Sequence, residues 1–346
     1  MSIRNHRHFI VLVILGIFCF TALAMFFFLA NKEKIKEGYV FENTQQEIKS
    51  DICQSDGIRI ETKIEEIEKR NGILHVNVFS KNEELINQFD IENIPPNHYR
   101  PFQVLNCNIY YLFIEEFENS RLLEARMISV INETDQKIQK LSYVEENGKE
   151  LFYSFIFSVD PNEKYISLIK GYLGSEDYSL VIKKLDTKED YYVLSMPELF
   201  KNYPDYVGDI EFIDWSQDGK YFWFSLYDQA YTLAYVKVDI ENRKYDIYQA
   251  PEGTMGGDPL NIETGWVTYD DGAPWSGFAD IDEEYQNEWL DQGKLVNFKL
   301  YNIFTKEEIL LEQFSDAIWY PGQKWIDEKT LEYTVPSGEV KQYKVN

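Results

Sequence analysis

The hydrophobic residues of this chain follow two different patterns. Residues 9–30 are 22 consecutive uncharged and mostly apolar residues, and no comparable run follows. From Ile58 onward, apolar and polar residues alternate in short stretches, as in residues 74–78 and 153–157. A long apolar run predicts a membrane-spanning helix, whereas alternation over a few residues predicts half-buried β-strands. The sequence therefore predicts one membrane anchor followed by an all-β body.

The apolar segment is long enough to cross a bilayer, since about 1.5 Å of helical rise per residue carries it across a hydrocarbon core of roughly 30 Å. A cleaved signal peptide is the alternative. The best cleavage site, Ala22-Leu23-Ala24, would leave the apolar residues 25–29 at the new N-terminus. Signal peptides also have shorter apolar regions. These features favour an uncleaved anchor.

Flanking charge gives the expected orientation of the anchor. Arg4 and Arg7 precede the apolar segment, and a short basic N-terminus usually stays in the cytoplasm. Lys32, Lys34 and Lys36 on the other side nearly balance this signal. We therefore expect a single-pass protein of the cell membrane whose body lies outside the cytoplasm.

Four segments are predicted from these patterns. Residues 1–8 form a short cytoplasmic tail and residues 9–30 the transmembrane helix. Residues 31–57 are charged, polar and without periodicity, which predicts a stalk. Residues 58–346 form the extracytoplasmic β domain.

A weak repeat within the β domain indicates its architecture. Residues 157–166 resemble residues 215–222, and residues 325–333 are a weaker third copy. The spacings indicate a period near 55 residues, with further copies expected around Val104 and Trp266. Each period holds about four strand-like runs, which is the composition of one β-propeller blade. The sequence predicts a propeller of about five or six blades, with a two-sheet β-sandwich as the alternative.

The repeat also resembles a known family of repeats. Trp215-Ser216-Gln217-Asp218-Gly219-Lys220-Tyr221 is similar to the W-S-x-D-G-K-Y element of the TolB-like, WD40-related propeller repeats found in bacterial extracytoplasmic proteins. The resemblance is good at this copy, fair at residues 157–166, and covers the rest of the domain through spacing alone. It implies a β-propeller of the cell envelope.

Composition narrows the range of partners. The formal net charge is −25, so the surface repels phosphate backbones and DNA and RNA are excluded as partners. Aromatic residues make up 16% of the chain, which supplies the apolar mass that disordered acidic chains lack. We therefore expect a folded acidic domain.

The chain contains three cysteines, and Cys53 and Cys107 are the pair outside the apolar segment. An oxidising compartment would allow these two residues to form a disulfide. Two separate buried thiols are the alternative. None of the four histidines has ligand-like spacing to a cysteine, so no metal site is predicted.

The chain has neither a G-x-S-x-G nor an H-E-x-x-H motif. Residues 252–292 instead combine aromatic and acidic side chains with several glycines. Such a loop is suited to a sugar, a cationic group or a basic peptide. Residues 280–291 imitate a calcium loop but have Tyr285 where an EF-hand needs glycine. The predicted ligand-binding residues are Trp266, Asp270, Asp271, Trp275, Asp280, Asp282 and Trp289.

Taken together, these observations favour a membrane-tethered binding or scaffolding module without catalysis and without a cofactor. Its expected partner, besides the membrane at residues 9–30, is another envelope protein or a glycan. The alternative is a propeller hydrolase that acts on cell-envelope glycans with two carboxylates. Two facing acids in a deep cleft would favour the hydrolase, and an open aromatic surface would favour the binding module.

Overall fold

A computed structural model of the chain describes residues 49–53, 58–68, 71–94, 101–117, 120–130, 134–144, 150–171, 176, 178–201, 209–228, 231–254, 259–271, 291–314 and 322–345. These residues belong to one compact unit, Lys49–Asn346. The predicted anchor, residues 9–30, lies outside the described residues and stays a prediction. Within the described part of the chain, no helix has the length and apolar character needed to cross a membrane.

The first sheet is an antiparallel meander in the order β1-β2-β3-β4. Its strands are β1 (Lys49–Cys53), β2 (Ile58–Glu68), β3 (Asn71–Phe79) and β4 (Leu85–Ile94). Strand β1 lies inside the segment predicted as a stalk and pairs with β2 along its whole length. The β domain therefore begins before residue 58.

The second sheet has eight strands and consists of two four-stranded meanders. Strands β8 and β9 pair only at residues 142–144 and 150–152. The first meander contains β5 (Phe102–Leu105), β6 (Asn108–Phe117), β7 (Ser120–Ser129) and β8 (Thr134–Val144). The second contains β9 (Glu150–Val159), β10 (Tyr165–Lys170), β11 (Ser179–Lys184) and β12 (Asp190–Ser195), followed by the short helix α1 (Met196–Phe200).

Three smaller sheets complete the described fold, and all are antiparallel meanders. One contains β13 (Asp209–Trp215), β14 (Tyr221–Asp228), β15 (Tyr231–Asp239) and β16 (Lys244–Gln249). The next contains β17 (Trp266–Asp270), β18 (Val296–Asn302) and β19 (Glu308–Phe314), with Leu260 bridged to Val267 ahead of it. The last contains β20 (Lys324–Trp325), β21 (Thr330–Thr334) and β22 (Val340–Lys344).

We number the resulting units in chain order. They are unit 1 (β1–β4), unit 2 (β5–β8), unit 3 (β9–β12), unit 4 (β13–β16), unit 5 (Leu260 with β17–β19) and unit 6 (β20–β22). The turn between the first and second strand of a unit is called its first turn.

Hydrophobic clusters join each unit to the next. Strand alternation gives the sheets apolar faces, and each pair of consecutive units buries such faces against one another. Representative pairs across successive units are Leu74 with Ile109, Leu112 with Phe157, Leu180 with Phe212, Trp223 with Val267, and Phe298 with Leu331. Burial of both faces drives the units to stack side by side.

One backbone hydrogen bond recurs in units 2 to 6. The residue after the third strand donates its N–H to the carbonyl that ends the first turn. The five donor and acceptor pairs are Val130 to Cys107, Leu185 to Lys164, Ile240 to Lys220, Ile303 to Gly265, and Val345 to Lys329. Five copies of one contact show that the units are structural repeats. An all-β chain of repeated antiparallel meanders, each packed on the next, supports the predicted β-propeller fold.

Candidate functional site

The repeat element, Trp215–Tyr221, forms the first turn of unit 4 and is held by its own side chains. The Ser216 hydroxyl accepts the Tyr221 N–H at 3.0 Å and donates to Asp218 at 2.8 Å. Asp218 also contacts the Lys220 Nζ at 2.7 Å, and the hydrogen bonds from Lys220 and Ser216 lower the pKa of Asp218 to about 2. Gly219 has a left-handed φ of +69°, and Trp215 is buried. The element is thus a self-contained turn that joins β13 to β14.

The first turns of units 4, 5 and 6 are held together by polar contacts. The Gln217 backbone N–H donates to the Glu263 carboxylate at 3.1 Å. The Asn261 side-chain amide donates to the Glu328 carbonyl at 2.8 Å, and the Trp325 indole N–H donates to the Pro259 carbonyl at 3.0 Å. Three consecutive turns therefore meet at one place in the fold.

A cavity of about 470 Å³ opens where these turns meet. Its volume lies in the range that ligand pockets usually have. The lining residues come from β13–β15, from the first turn of unit 4, and from the segments around the first turns of units 5 and 6. They are Glu211, Phe212, Ile213, Asp214, Gln217, Ser225, Thr232, Tyr235, Pro259, Leu260, Asn261, Ile262, Glu263, Trp325, Ile326, Asp327 and Glu328. We call it the acidic cavity.

The charge of the acidic cavity has one sign. Five of its lining residues are acidic, and none of the described lining residues is Lys, Arg or His. The acids come from separate elements: Glu211 and Asp214 from β13, Glu263 from the first turn of unit 5, and residues 327–328 from the first turn of unit 6. The five acidic residues therefore make the potential of this space negative.

Exposure differs between the lining residues. Asp214, Glu263 and Glu328 are exposed, whereas Ser225 and Tyr235 are almost fully buried. Most of the carboxylates thus lie at the water-facing mouth, and hydroxyl groups lie deeper. The Asp327 carboxylate accepts hydrogen bonds from the Lys329 N–H, the Thr330 hydroxyl and the Thr330 N–H, which hold the pKa of Asp327 below its usual range. Asp327 is therefore an anion and not a proton donor.

Ser225 lies in the buried part of the cavity lining. It lies on β14 directly opposite Glu211 on one side and Tyr235 on the other, and all three line the cavity. Ser225 is only 3% exposed.

The residues predicted to bind ligand from the sequence fall into two groups. Trp266 is buried with Phe298 and Leu331 in the cluster between units 5 and 6. Asp270 ends β17, and Asp271 follows it. The remaining predicted residues, Trp275, Asp280, Asp282 and Trp289, lie outside the described residues, so their ligand-binding role stays a prediction.

Asp271 links the end of β17 to the beginning of β18. Its carboxylate accepts the Asn297 N–H at 2.8 Å and the Asn297 side-chain amide at 2.9 Å, and it contacts the Lys299 Nζ at 3.2 Å. Burial opposes ionisation, but these bonds outweigh it and lower the pKa of Asp271. Lys299 also contacts Glu308 at 3.1 Å, and Glu308 accepts a hydrogen bond from Tyr269. Asp271 therefore has a structural role, and its ligand-binding role stays a prediction.

Cys107 takes part in a disulfide. It belongs to the cluster between units 1 and 2 and ends the first turn of unit 2. Cys53 ends β1, but its side chain lies outside those described, so the pairing of Cys53 with Cys107 stays a prediction.

Sequence reasoning missed the acidic cavity because its residues are spread from position 211 to position 328. One signal was available: an acid accompanies the turn in several repeats, at Asp214 and Asp218, at Glu263, and at Asp327 and Glu328. Superposing the repeats by their turns would have placed these acids at the same end of the stacked units.

No known protein-family model matches this chain, and no curated protein sequence does either. Among solved structures, it resembles a prolyl endopeptidase over 85% of this chain and 38% of that one, with 9% identity and a TM-score of 0.49. It resembles the β-propeller domain of the Trilobed protease from Pyrococcus furiosus over 84% of this chain and 78% of that domain, with 9% identity and a TM-score of 0.45. An oligogalacturonate lyase is similar over 86% of this chain and 95% of the lyase chain, with 7% identity and a TM-score of 0.42. The chain thus spans less than half the length of the prolyl endopeptidase that it matches.

Proposed function

We propose that this protein is a binding module, built as a six-bladed TolB-like β-propeller, whose acidic cavity takes a positively charged ligand. One observation carries the proposal: five acidic side chains and, in the described lining, no basic one surround a space of about 470 Å³. A negative cleft with partly apolar walls concentrates cations and strengthens their binding. Leu260, which packs in the cluster between units 4 and 5, gives the lining an apolar part.

We further propose that the module works at the outer face of a membrane, held there by residues 9–30. The apolar length of this segment and the basic residues before it support this placement. A reporter enzyme that is active only outside the cytoplasm, fused after Asn346, should be active. An inactive reporter, with a matching cytoplasmic reporter active, would contradict the placement.

The binding proposal is tested by calorimetric titration of the full-length protein in detergent. The probes are blocked tripeptides: Gly-Lys-Gly, Gly-Arg-Gly and, as a neutral control, Gly-Gln-Gly. We expect one cationic tripeptide to bind per chain and the neutral one not to bind. The expected affinity loss for Glu328→Gln is about tenfold, since hydrogen bonds to charged groups contribute about 1.5–3 kcal/mol.

Asp246→Asn is the matched control variant. Asp246 is exposed on β16, the outermost strand of the same sheet, so the variant removes one negative charge far from β13. It should bind the cationic tripeptides as the unmodified protein does. Equal losses in both variants, or no binding of either cationic tripeptide, would contradict the proposal.

A glycan hydrolase is the second candidate, and one observation favours it. Acidic residues of β13 and of the first turn of unit 6 line the same cavity, and glycoside hydrolysis uses a pair of carboxyl groups on either side of the scissile bond. Incubation with cell-wall glycan fragments should then release reducing ends, and Glu211→Gln should abolish the release. Absence of release by the unmodified protein would leave the binding module as the sole proposal.

A further inference from the structure

Unit 6 has three strands among the described residues. The recurring hydrogen bond, here from Val345 to Lys329, assigns β20, β21 and β22 to the first, second and third places of the unit. In units 2 to 5 a fourth strand (β8, β12, β16 or β19) pairs with the outer edge of the third. No described strand takes this place in unit 6, so β22 is its outermost strand.

The exposure of β22 differs from that of other third strands. Strands β11, β15 and β18 each bury more than half of their residues, whereas β22 buries none. Val340 on β22 is 59% exposed, which is the highest value among the exposed large hydrophobic side chains of the described residues. The N–H and C=O groups along the outer edge of such a strand are a template on which a further strand can pair.

The charge of β22 differs from that of the outermost strands of the other units. Strands β4, β8, β12, β16 and β19 each contain at least one acidic residue, whereas β22, with the sequence V-K-Q-Y-K, contains none. Lys341 contacts Glu312 at 2.5 Å, and Lys344 interacts electrostatically with Asp327. Two copies of a chain with a net charge of −25 therefore repel each other least along this edge.

The sequence of β22 is self-complementary in one antiparallel register. A two-fold axis through Gln342 places Val340 opposite Lys344 of a second copy. The same axis places Lys341 opposite Tyr343 of that copy. Each pair joins a basic side chain to an apolar or aromatic one, and no like charges lie directly opposite. An axis through Lys341 would instead bring two lysines together.

We propose that β22 is the contact strand of a symmetric dimer, in which the outer edges of two copies pair antiparallel about Gln342. The sheets of the two copies of unit 6 then form one continuous sheet, and the aliphatic part of Lys344 covers Val340 of the other copy. Because a two-fold axis uses the same edge on both copies, the assembly closes at two chains. The inference concerns assembly and does not depend on what the acidic cavity binds.

Gln342→Cys tests the register in the full-length protein under mild oxidation. Directly opposite residues of an antiparallel pair have Cα atoms about 4.5–5.5 Å apart, which a disulfide can span. We expect most of the protein to migrate at twice the mass of one chain on a non-reducing gel. Gln313→Cys is the matched control, because Gln313 is also an exposed glutamine but lies on β19. It should give no more of this species than the unmodified protein.

Gln342→Lys tests the symmetry by placing two ammonium groups opposite each other at the axis. Within one copy the new side chain can pair with Glu332, which already accepts a hydrogen bond from the Gln342 amide at 3.0 Å, so the fold should be retained. Sedimentation of the full-length protein in detergent should show a dimer dissociation constant raised about three- to fivefold. Gln313→Lys adds the same charge to β19 and should not raise it.

Three results would overturn the dimer. The first is no cross-linking by Gln342→Cys beyond that of the unmodified protein. The second is equal cross-linking by the two cysteine variants, which would show contact without the proposed register. The third is a dissociation constant that Gln342→Lys leaves unchanged, or a full-length protein that sediments as a monomer at every concentration.

Discussion

The first turns of units 3 and 4 have the same backbone but different side chains. In unit 4 the Ser216 N–H donates to the Tyr221 carbonyl at 2.9 Å, and in unit 3 the Asp160 N–H donates to the Tyr165 carbonyl at 3.0 Å. A second shared bond closes each turn, from Gly219 to Ser216 at 2.8 Å and from Glu163 to Asp160 at 2.9 Å. The repeat is therefore conserved in its backbone and not in its chemistry.

Side chains complete the two turns in different ways. In unit 4, the Ser216 hydroxyl accepts the Tyr221 N–H, and the Asp218 carboxylate accepts the Lys220 N–H. In unit 3, the Asp160 carboxylate accepts the N–H groups of residues 162, 164 and 165 alone. One buried carboxylate can therefore replace a hydroxyl and an exposed carboxylate.

The left-handed position of the turn shows the clearest difference. Gly219 occupies it in unit 4 with φ +69°, and Glu163 occupies it in unit 3 with φ +53°. The Glu163 carboxylate compensates for the strain by accepting hydrogen bonds from Asn108 and Tyr110 of unit 2, both at 2.7 Å. Asn162 donates to the Asp218 carbonyl at 2.9 Å, so the two turns also contact each other.

The largest expected effect comes from Gly219→Ala. A Cβ there would lie 2.5 Å from the Asn162 side-chain nitrogen and 2.9 Å from an Asp160 carboxylate oxygen. We expect the free energy of unfolding to fall by about 2–3 kcal/mol, which combines the left-handed backbone cost with the loss of the bond between the turns. Urea unfolding measures this change.

Gly338→Ala is its matched control. Gly338 also has a left-handed φ, of +85°, but nothing lies within 4 Å of the added Cβ. We expect the free energy of unfolding to fall by only about 1 kcal/mol, because the left-handed backbone is then the sole cost. Equal losses for the two glycines would show that unit 3 does not determine the need for glycine at position 219.

Glu163→Gly should have the next largest effect. The change gives unit 3 the residue that its backbone favours, yet it removes the carboxylate that binds Asn108 and Tyr110. We expect a net loss of about 1–2 kcal/mol, because hydrogen bonds to a charged group outweigh the relief of backbone strain. An increase in the free energy of unfolding would contradict this view of the turn.

The smallest expected effect is a difference in pH dependence. The pKa of Asp218 is lowered to about 2 by its hydrogen bonds, so its contribution is complete above about pH 4 and is lost as the pH falls toward 2. Burial raises the pKa of Asp160, so the contribution of this side chain to stability is complete below about pH 4, where the carboxyl group is protonated, and is lost as the pH rises through the raised pKa.

Urea unfolding of Asp218→Asn and Asp160→Asn between pH 2.5 and about 6 measures this difference. The stability gap between the unmodified protein and Asp218→Asn should narrow as the pH falls. The gap for Asp160→Asn should narrow as the pH rises. Gaps that change in the same direction would contradict the opposite roles of the two carboxylates.

These turns also show how far the sequence predicts the fold. The Trp215–Tyr221 element was recognisable because glycine and the Ser–Asp pair leave a local signature. The copy at unit 2 has no such signature, since Cys107 takes the left-handed φ there. Around unit 5 the predicted position was shifted, because Trp266 follows the turn and begins β17. Alternation predicted the strands, but the β1 strand was missed because residues 49–53 are short and mostly polar.

The site was harder to predict than the fold. Aromatic and acidic residues close together in the sequence suggested the loop at residues 252–292, whereas the acidic cavity joins residues more than a hundred positions apart. Its acids become neighbours only because consecutive turns meet on one face of the repeats. A local search cannot detect a site of this kind until the repeat period is known.

Hydrogen exchange measured by mass spectrometry tests the central claim, that the acidic cavity is the ligand site, most directly. The full-length protein is compared with and without saturating Gly-Arg-Gly. We predict slower exchange in the cavity segments, residues 211–217, 259–263 and 325–328, and unchanged exchange in unit 1. Unchanged exchange in the cavity segments, with protection limited to β17 and β18, would contradict the account.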